Sequence, residues 1–177
     1  HPSDMRGIET ALAADVDILA HTTPADGPWP TSLVNKLKAR GVALIPTLKL
    51  FEVELANIGV PGDVRARFAR NAAQQLRTFA SAGGTILFGT DVGYIEDADT
   101  TRELQLMAEA GLGWREILAS LTTAPAARYG FAASKGRVAA GMDGDLVVLG
   151  SDPQRDPAAF ADVQATIRGG VVLYRSR

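Results

Sequence analysis

The stretch TILFGTD, residues 85–91, is an apolar run that ends in a carboxylate. A carboxylate at the mouth of a buried strand is costly to desolvate unless it binds a metal or handles a proton. His21 follows a second, largely apolar run, residues 16–20, in the same way, and His1, the only other histidine, opens the chain. This pattern predicts that Asp91 and His21 lie at the carboxyl ends of two strands and take part in chemistry there.

Length and composition indicate one ordinary globular domain. The 177 residues are 46% hydrophobic and 21% charged, and the formal net charge of -2 gives no reason to expect nucleic acid or an anionic membrane as a partner. Because the chain has no cysteine, any metal must be held by histidine, carboxylate or water. We expect a cytoplasmic protein, since no signal peptide is found; the sequence also lacks an initiator Met, which leaves its natural N-terminus open.

Helical and strand patterns alternate over roughly the first 130 residues. Helices are predicted after Ser3 or Asp4 and over residues 31–40, 63–82, 100–110, 114–121 and 125–129; strands are predicted over residues 17–20, 42–45, 85–91, 145–149, 163–167 and 171–174. Residues 47–59 are interpreted as an irregular or partly helical excursion, apolar enough to cover a pocket. The alternation favours parallel βαβ units, and the tail favours a small antiparallel sheet.

Four stretches of sequence match the motifs of a known family in order and spacing. They are the pair His1 and His21, the run 88–91, the run 102–112 followed by 121–127, and the run 135–149. In these stretches the sequence resembles the C-terminal half of the amidohydrolase superfamily, close to its imidazolonepropionase-like and prolidase-like branches. The resemblance implies an α/β fold: residues 1–133 are the C-terminal half of a TIM-type (β/α) barrel, and residues 134–177 are a portion of a small composite β-sandwich.

The resemblance also implies an activity and a metal site. It predicts a metal-dependent hydrolase that cleaves C–N bonds in a small amide, cyclic amide or peptide. His1, His21 and Asp91 are the expected ligands of one or two divalent metal ions, usually zinc, with Asp91 and His21 as catalytic residues and Asp91 as the proton shuttle. Thr47, at the end of the 42–45 strand, is a candidate substrate-binding residue. Imidazole and carboxylate suit zinc, which lowers the pKa of a bound water to about 7.

The sequence departs from the family pattern in its ligand set. The family's first-strand His-x-His pair is absent, and so is the bridging lysine or glutamate of its fourth strand. We therefore expect a fragment that needs a missing N-terminal half or a homo-oligomer to complete its site. Two alternatives stay open: an inactive fragment that serves as an interaction module, and a deaminase of the same superfamily in which His21 assists catalysis without holding metal.

Simpler interpretations exist for most of these residues. His1 is otherwise a disordered terminus, His21 a core histidine bonded to a backbone carbonyl, and Asp91 a helix cap. For several polar residues nearby the simpler interpretation is preferred. Thr22, Thr90 and Tyr94 are expected to cap loops, Lys49, Glu52 and Glu54 to be solvated loop charges, and Arg102 and Glu103 to form a surface pair.

Overall fold

The computed structural model describes residues 1–176 as two three-stranded sheets with helices packed around the first. The helices are α1 (Met5–Ala13), α2 (Thr31–Ala39), α3 (Leu48–Asn57), α4 (Gly62–Ser81), α5 (Thr101–Glu109), α6 (Trp114–Leu121) and α7 (Thr123–Arg128). The strands are β1 (Ile18–Ala20), β2 (Ala43–Ile45), β3 (Thr85–Ile86), β4 (Leu146–Leu149), β5 (Val163–Arg168) and β6 (Val171–Arg175). Two 3₁₀ helices cover Pro24–Asp26 and Pro157–Ala161.

The first sheet is parallel, with strand order β1-β2-β3. Leu19 pairs with Leu44, and Leu44 with Ile86. Each of the three strands is followed by helices, which is the βαβ arrangement that the sequence predicts. Within residues 1–176 the sheet does not close into a barrel, and β1 and β3 are its two edges. The parallel α/β half of the fold prediction is therefore confirmed, while barrel closure is not seen.

The core lies between this sheet and the helices. Its largest fully buried apolar side chains come from six of the elements and from no single helix: Ile8, Leu37, Leu44, Leu76, Phe79, Leu104, Met107 and Ile117. In α1, Ile8 and Leu12 face this core, and Asp4 caps the helix by accepting the Gly7 N–H at 2.7 Å.

Two segments differ from the sequence prediction. Residues 48–57, predicted to be irregular or partly helical, form the regular helix α3. Strand β3 is shorter than the predicted 85–91 run, because only Thr85 and Ile86 pair as strand. The Leu87 N–H still donates to the Leu44 carbonyl at 2.9 Å, whereas the Phe88 N–H donates to the Ser120 carbonyl, outside the sheet. Residues 89–91 therefore leave the sheet and form a loop above its edge.

The second sheet is antiparallel, with order β4-β5-β6 and a hairpin turn at Gly169-Gly170, where both φ angles are positive. It is tied to the rest of the chain by the 3₁₀ helix Pro157–Ala161, whose Phe160 packs against the main core. Strand β6 leaves its apolar residues Val171–Tyr174 more than half exposed. No helix within residues 1–176 combines the length and apolar character needed to cross a membrane.

Candidate functional site

Each strand of the parallel sheet is followed by a residue in the left-handed backbone region. His21 (φ 75°) follows β1, Thr47 (φ 47°) follows β2 by two residues, and Asp91 (φ 62°) ends the run that begins with β3. This conformation is uncommon for residues other than glycine; asparagine, aspartate and histidine tolerate it better than a β-branched residue such as threonine, so the strain is greatest at Thr47. Because the strands are parallel, all three residues lie at the same end of the sheet, where the carboxyl ends of its strands meet. Backbone strain and candidate chemistry therefore coincide at one place.

The His21 ring is held from both of its nitrogens. Its Nδ1 lies 2.7 Å from Thr47 Oγ1, and its Nε2 lies 2.7 Å from His1 Nδ1. Thr47 Oγ1 also donates to the Pro46 carbonyl at 2.9 Å, which uses the single hydroxyl proton. The hydroxyl must then accept from His21, so the network assigns the ring proton to Nδ1 and leaves a lone pair on Nε2. Burial lowers the pKa of His21, the nearby Asp91 carboxylate opposes that shift, and the net effect favours the neutral ring.

This arrangement resembles the outer support that a metal-binding histidine needs. A ligating imidazole commonly donates its second N–H to a protein oxygen, which fixes the tautomer and the ring orientation. Here Thr47 plays that part, and His21 Nε2, which carries the lone pair, faces His1 Nδ1. Two nitrogens on one tetrahedral zinc lie about 3.3 Å apart, so the pair at 2.7 Å would have to open by about 0.6 Å. The donor types suit a divalent metal, but His1 Nδ1, which donates its proton to His21 Nε2 in this network, would also have to give up that proton before both nitrogens could bind.

Asp91 shares a pocket with both histidines. The pocket has a volume of about 410 Å³, and its lining includes the three candidate ligands together with Leu50, Phe51, Glu54, Phe68 and Tyr94. Across residues 1–176, no three His, Asp or Glu side chains are already arranged as a metal cluster. The structure thus brings His1 and His21 into contact and places Asp91 in the same pocket. The metal-ligand roles of all three, and the substrate role of Thr47, stay predictions.

The mouth of the pocket carries a hydrogen bond between α3 and the loop after Asp91. Tyr94 donates its phenol proton to Glu54 Oε1 at 2.7 Å, and this bond raises the pKa of Tyr94. Glu54 therefore lies on a helix that faces the pocket and is not the solvated loop charge expected from sequence. Behind it, Leu50, Phe51 and Phe68 give the pocket a largely apolar wall.

Two charged residues near the site were wrongly predicted to be at the surface. Glu103 is fully buried and accepts the backbone N–H groups of Leu48 at 2.9 Å and Lys49 at 2.7 Å, while Arg102 pairs with Glu52 instead. Lys49 is 3% exposed, and its ammonium group binds Asp97 and the carbonyls of Asp97 and Asp99. One signal was available for Glu103: it lies four residues before Met107 on the apolar face of its helix.

Thr22 is another buried polar residue at the carboxyl-terminal end of this sheet. Its hydroxyl oxygen has no hydrogen-bond partner among the described residues, although the backbone of the same residue binds the Pro46 carbonyl. Thr22 follows His21 directly and lines the pocket. An orphaned buried hydroxyl costs free energy, and its position shows that polar groups are concentrated around the histidine pair.

Comparison with known proteins supports one family. The sequence model of the Amidohydrolase family matches residues 7–173. A putative prolidase from Bifidobacterium longum aligns with a TM-score of 0.82 and 25% identity, over 98% of this chain and 46% of that one. A Xaa-Pro dipeptidase with bound methionine aligns with a TM-score of 0.81 and 22% identity, over 97% and 43%. Phenylurea hydrolase B aligns with a TM-score of 0.75 and 23% identity, over 99% of this chain and 42% of that one.

The chain spans less than half the length of these solved structures. A sequence comparison with curated proteins gives no match. The aligned regions include both sheets, because 97% or more of this chain is covered in each of the three cases. At identities near or below a quarter, these matches establish a shared fold.

Proposed function

Because the chain belongs to the amidohydrolase family, we propose that it supplies part of the active site for metal-dependent hydrolysis of a C–N bond in a small amide, cyclic amide or peptide. The observation that carries this proposal is the hydrogen-bonded series Thr47, His21 and His1, which leaves the lone pair of His21 Nε2 directed at a second imidazole. An isolated core histidine has no need of such an arrangement.

The proposed roles follow from the chemistry of each side chain. His1 and His21 would hold a divalent metal, for which zinc suits the nitrogen donors, and Asp91 would complete the set. When bound, such a metal supplies a water that is acidic enough to act as hydroxide near neutral pH. Asp91, in the same pocket, would accept the proton of the attacking water and return it to the leaving nitrogen. Thr47 keeps His21 in the tautomer that can bind.

The pocket wall suggests which substrates fit. Leu50, Phe51 and Phe68 offer apolar surface beside the candidate ligands, which suits an amide or peptide with a hydrophobic portion. Two structural matches are described as prolidases, and two others as a molinate hydrolase and a phenylurea hydrolase, which agrees with this choice. The relatives therefore support the proposed reaction class, and the pocket wall supports a substrate with a hydrophobic portion.

We propose further that additional polypeptide, either a missing N-terminal half or a second copy of the chain, completes the site. The chain spans 43% and 46% of two of the structures it matches. In the described residues, β1 and β3 each pair on one side only, and β6 exposes Val171–Tyr174. Open strand edges and exposed apolar residues of this kind favour association. A chain that binds a partner without turnover is the second candidate function.

Metal binding tests the first proposal directly. We would titrate zinc into the purified chain by calorimetry and determine metal content after gel filtration. One zinc per chain is expected, and its affinity should fall at least about 10-fold in His1→Ala and in His21→Ala. Asp17→Asn is the control, since this carboxylate is 83% exposed and outside the pocket. A folded chain that retains no stoichiometric zinc contradicts the proposed site.

Substrate class is tested with the zinc-loaded chain, alone and with a complementing polypeptide. Product amines would be followed for dipeptides, N-acyl amino acids and cyclic amides, and ammonia release for aminopurines and aminopyrimidines. Release of ammonia with no amide cleavage would favour the deaminase alternative. Binding of the complementing polypeptide with no turnover on any substrate would favour an interaction module.

A further inference from the structure

Helix α3 begins without the cap that its own sequence offers. Thr47 occupies the N-cap position, where a threonine hydroxyl normally accepts an N–H from the first turn, yet it makes no such bond. Its hydroxyl instead serves the Pro46 carbonyl and His21 Nδ1. The first N–H groups of the helix would be orphaned in a buried environment if nothing replaced it.

The replacement comes from a residue more than 50 positions away in the sequence. Glu103, on α5, places one carboxylate oxygen 2.9 Å from the Leu48 nitrogen and the other 2.7 Å from the Lys49 nitrogen. This carboxylate has 0% exposure, so it serves nothing at the surface. A negative group at a helix N-terminus is also favoured by the helix dipole. Glu103 therefore does the capping that Thr47 does not do.

We propose that Glu103 is a positioning residue for His21: by capping α3 it frees the Thr47 hydroxyl to fix the His21 ring with its proton on Nδ1. This inference deepens the proposed function, because His21 is the residue that is positioned, but its test does not depend on activity. Without the carboxylate, the Leu48 and Lys49 N–H groups lose their acceptor, and the hydroxyl of Thr47, the residue directly before them, is the side-chain oxygen adjacent to them in the sequence. Recruiting that oxygen to the helix withdraws it from His21, whose ring then loses its orientation.

If Glu103 only stabilises α3, the expected results differ from those expected if it also positions the His21 ring. The first role is called a structural cap here and the second a positioning cap. Both lower stability when Glu103 is changed, so stability alone does not separate them. Only a positioning cap changes the state of the His21 ring, and only through Thr47. The chain has two histidines, so long-range ¹H–¹⁵N correlation spectra of its imidazoles contain only two sets of signals. The tautomer of His21 is therefore directly readable in the metal-free chain.

The experiment compares the wild-type chain with four variants at about pH 8, where imidazoles are neutral. Glu103→Gln retains the volume and one acceptor oxygen, Thr47→Val removes the hydroxyl, and the double variant carries both changes. Glu116→Gln is the matched control, because Glu116 also caps a helix by accepting a backbone N–H, that of Gly113 at 2.7 Å, but at an exposed position outside the pocket.

The wild-type chain should show His21 protonated on Nδ1. Glu103→Gln and Thr47→Val should each convert it to a mixture of tautomers and weaken zinc binding about 10-fold, and the double variant should show no further change. Glu116→Gln should leave the His21 signals unmoved. A wild-type tautomer in Glu103→Gln, or additive effects in the double variant, would overturn the proposal.

Two further measurements cover a variant that does not fold. Glu103→Asp keeps the charge and withdraws it by one methylene, and it should shift the His21 signals partway. In the wild-type chain itself, the amide protons of Leu48 and Lys49 should exchange slowly, as buried and bonded groups do. Fast exchange at both amides would show that the cap does not exist. Loss of zinc binding in the wild-type chain, with the tautomer effects intact, would count against the proposed function alone.

Discussion

Lys49 Nζ lies 2.8 Å from Asp97 Oδ2 and joins helix α3 to the loop that carries Asp91. The lysine side chain is 4% exposed, whereas that of Asp97 is 57% exposed, so the buried member of the pair depends on its partners. It finds them in this carboxylate and in the carbonyls of Asp97 and Asp99. The pair therefore connects the pocket wall to the loop of a candidate catalytic residue.

Replacing Lys49 by methionine should destabilise the chain by about 1–3 kcal/mol, because two loop carbonyls lose their donor. Urea denaturation followed by circular dichroism measures the change. Lys36→Met is the control: its pair with Glu9 is more than half exposed on both sides, so a change below about 0.5 kcal/mol is expected. Equal effects of the two substitutions would show that Lys49 has no special structural role.

Glu103 should make stability fall as the pH rises from about 4.5 to about 7. Burial raises the pKa of Glu103 from 4.5 to about 7, against the opposing effect of the Lys49 and Leu48 N–H groups. Between these values the folded chain keeps a proton that the unfolded chain has released, so rising pH favours unfolding, by at most about 3 kcal/mol. Below about pH 4.5, Glu103 is protonated in both the folded and the unfolded chain, so its contribution to stability no longer changes with pH.

The measurement is the difference in unfolding free energy between the wild-type chain and Glu103→Gln at several pH values. All other titrating groups are common to both proteins and largely cancel. The wild-type chain should lose stability relative to the variant across this window. A difference that stays constant with pH would mean that Glu103 titrates normally.

Removing the Glu54 carboxylate should lower the pH at which one tyrosine ionises. The hydrogen bond and the negative charge of Glu54 both raise the pKa of Tyr94. In Glu54→Gln the charge is gone, so one of the three tyrosines should ionise earlier in a titration followed by absorbance near 295 nm. Glu9→Gln is the control, because Glu9 pairs with the exposed Lys36, and it should leave the ionisation of all three tyrosines unchanged.

Gly84→Ala should be destabilising by about 1–3 kcal/mol through overpacking. A Cβ at this position would lie 2.4 Å from the ring of Phe79, which is fully buried and has little room to move. Gly62→Ala is the matched control, because the nearest atom there is a flexible Arg65 nitrogen at 3.9 Å. Thermal or urea denaturation of both variants should give opposite results, with Gly62→Ala neutral or slightly stabilising.

The sequence allowed the positions of His21 and Asp91 to be predicted because each follows an apolar run, and parallel strands bring such ends to one edge. The same local logic predicted the hairpin around Gly169. It failed for Glu103, whose partners lie 54 and 55 residues away along the chain, and for Lys49, whose carbonyl partners lie 48 and 50 residues away. Local charge patterns carry no information on such distant contacts. Closure of the barrel was not seen, because the described residues supply three parallel strands.

The left-handed backbone at His21, Thr47 and Asp91 limits which residues can stand there. Glycine and asparagine accept such angles readily, whereas a β-branched residue such as threonine is among the least suited. A random library at these three positions, selected for solubility and heat resistance alone, should drift towards glycine and asparagine. Retention of the present residues would then require selection for what their side chains do.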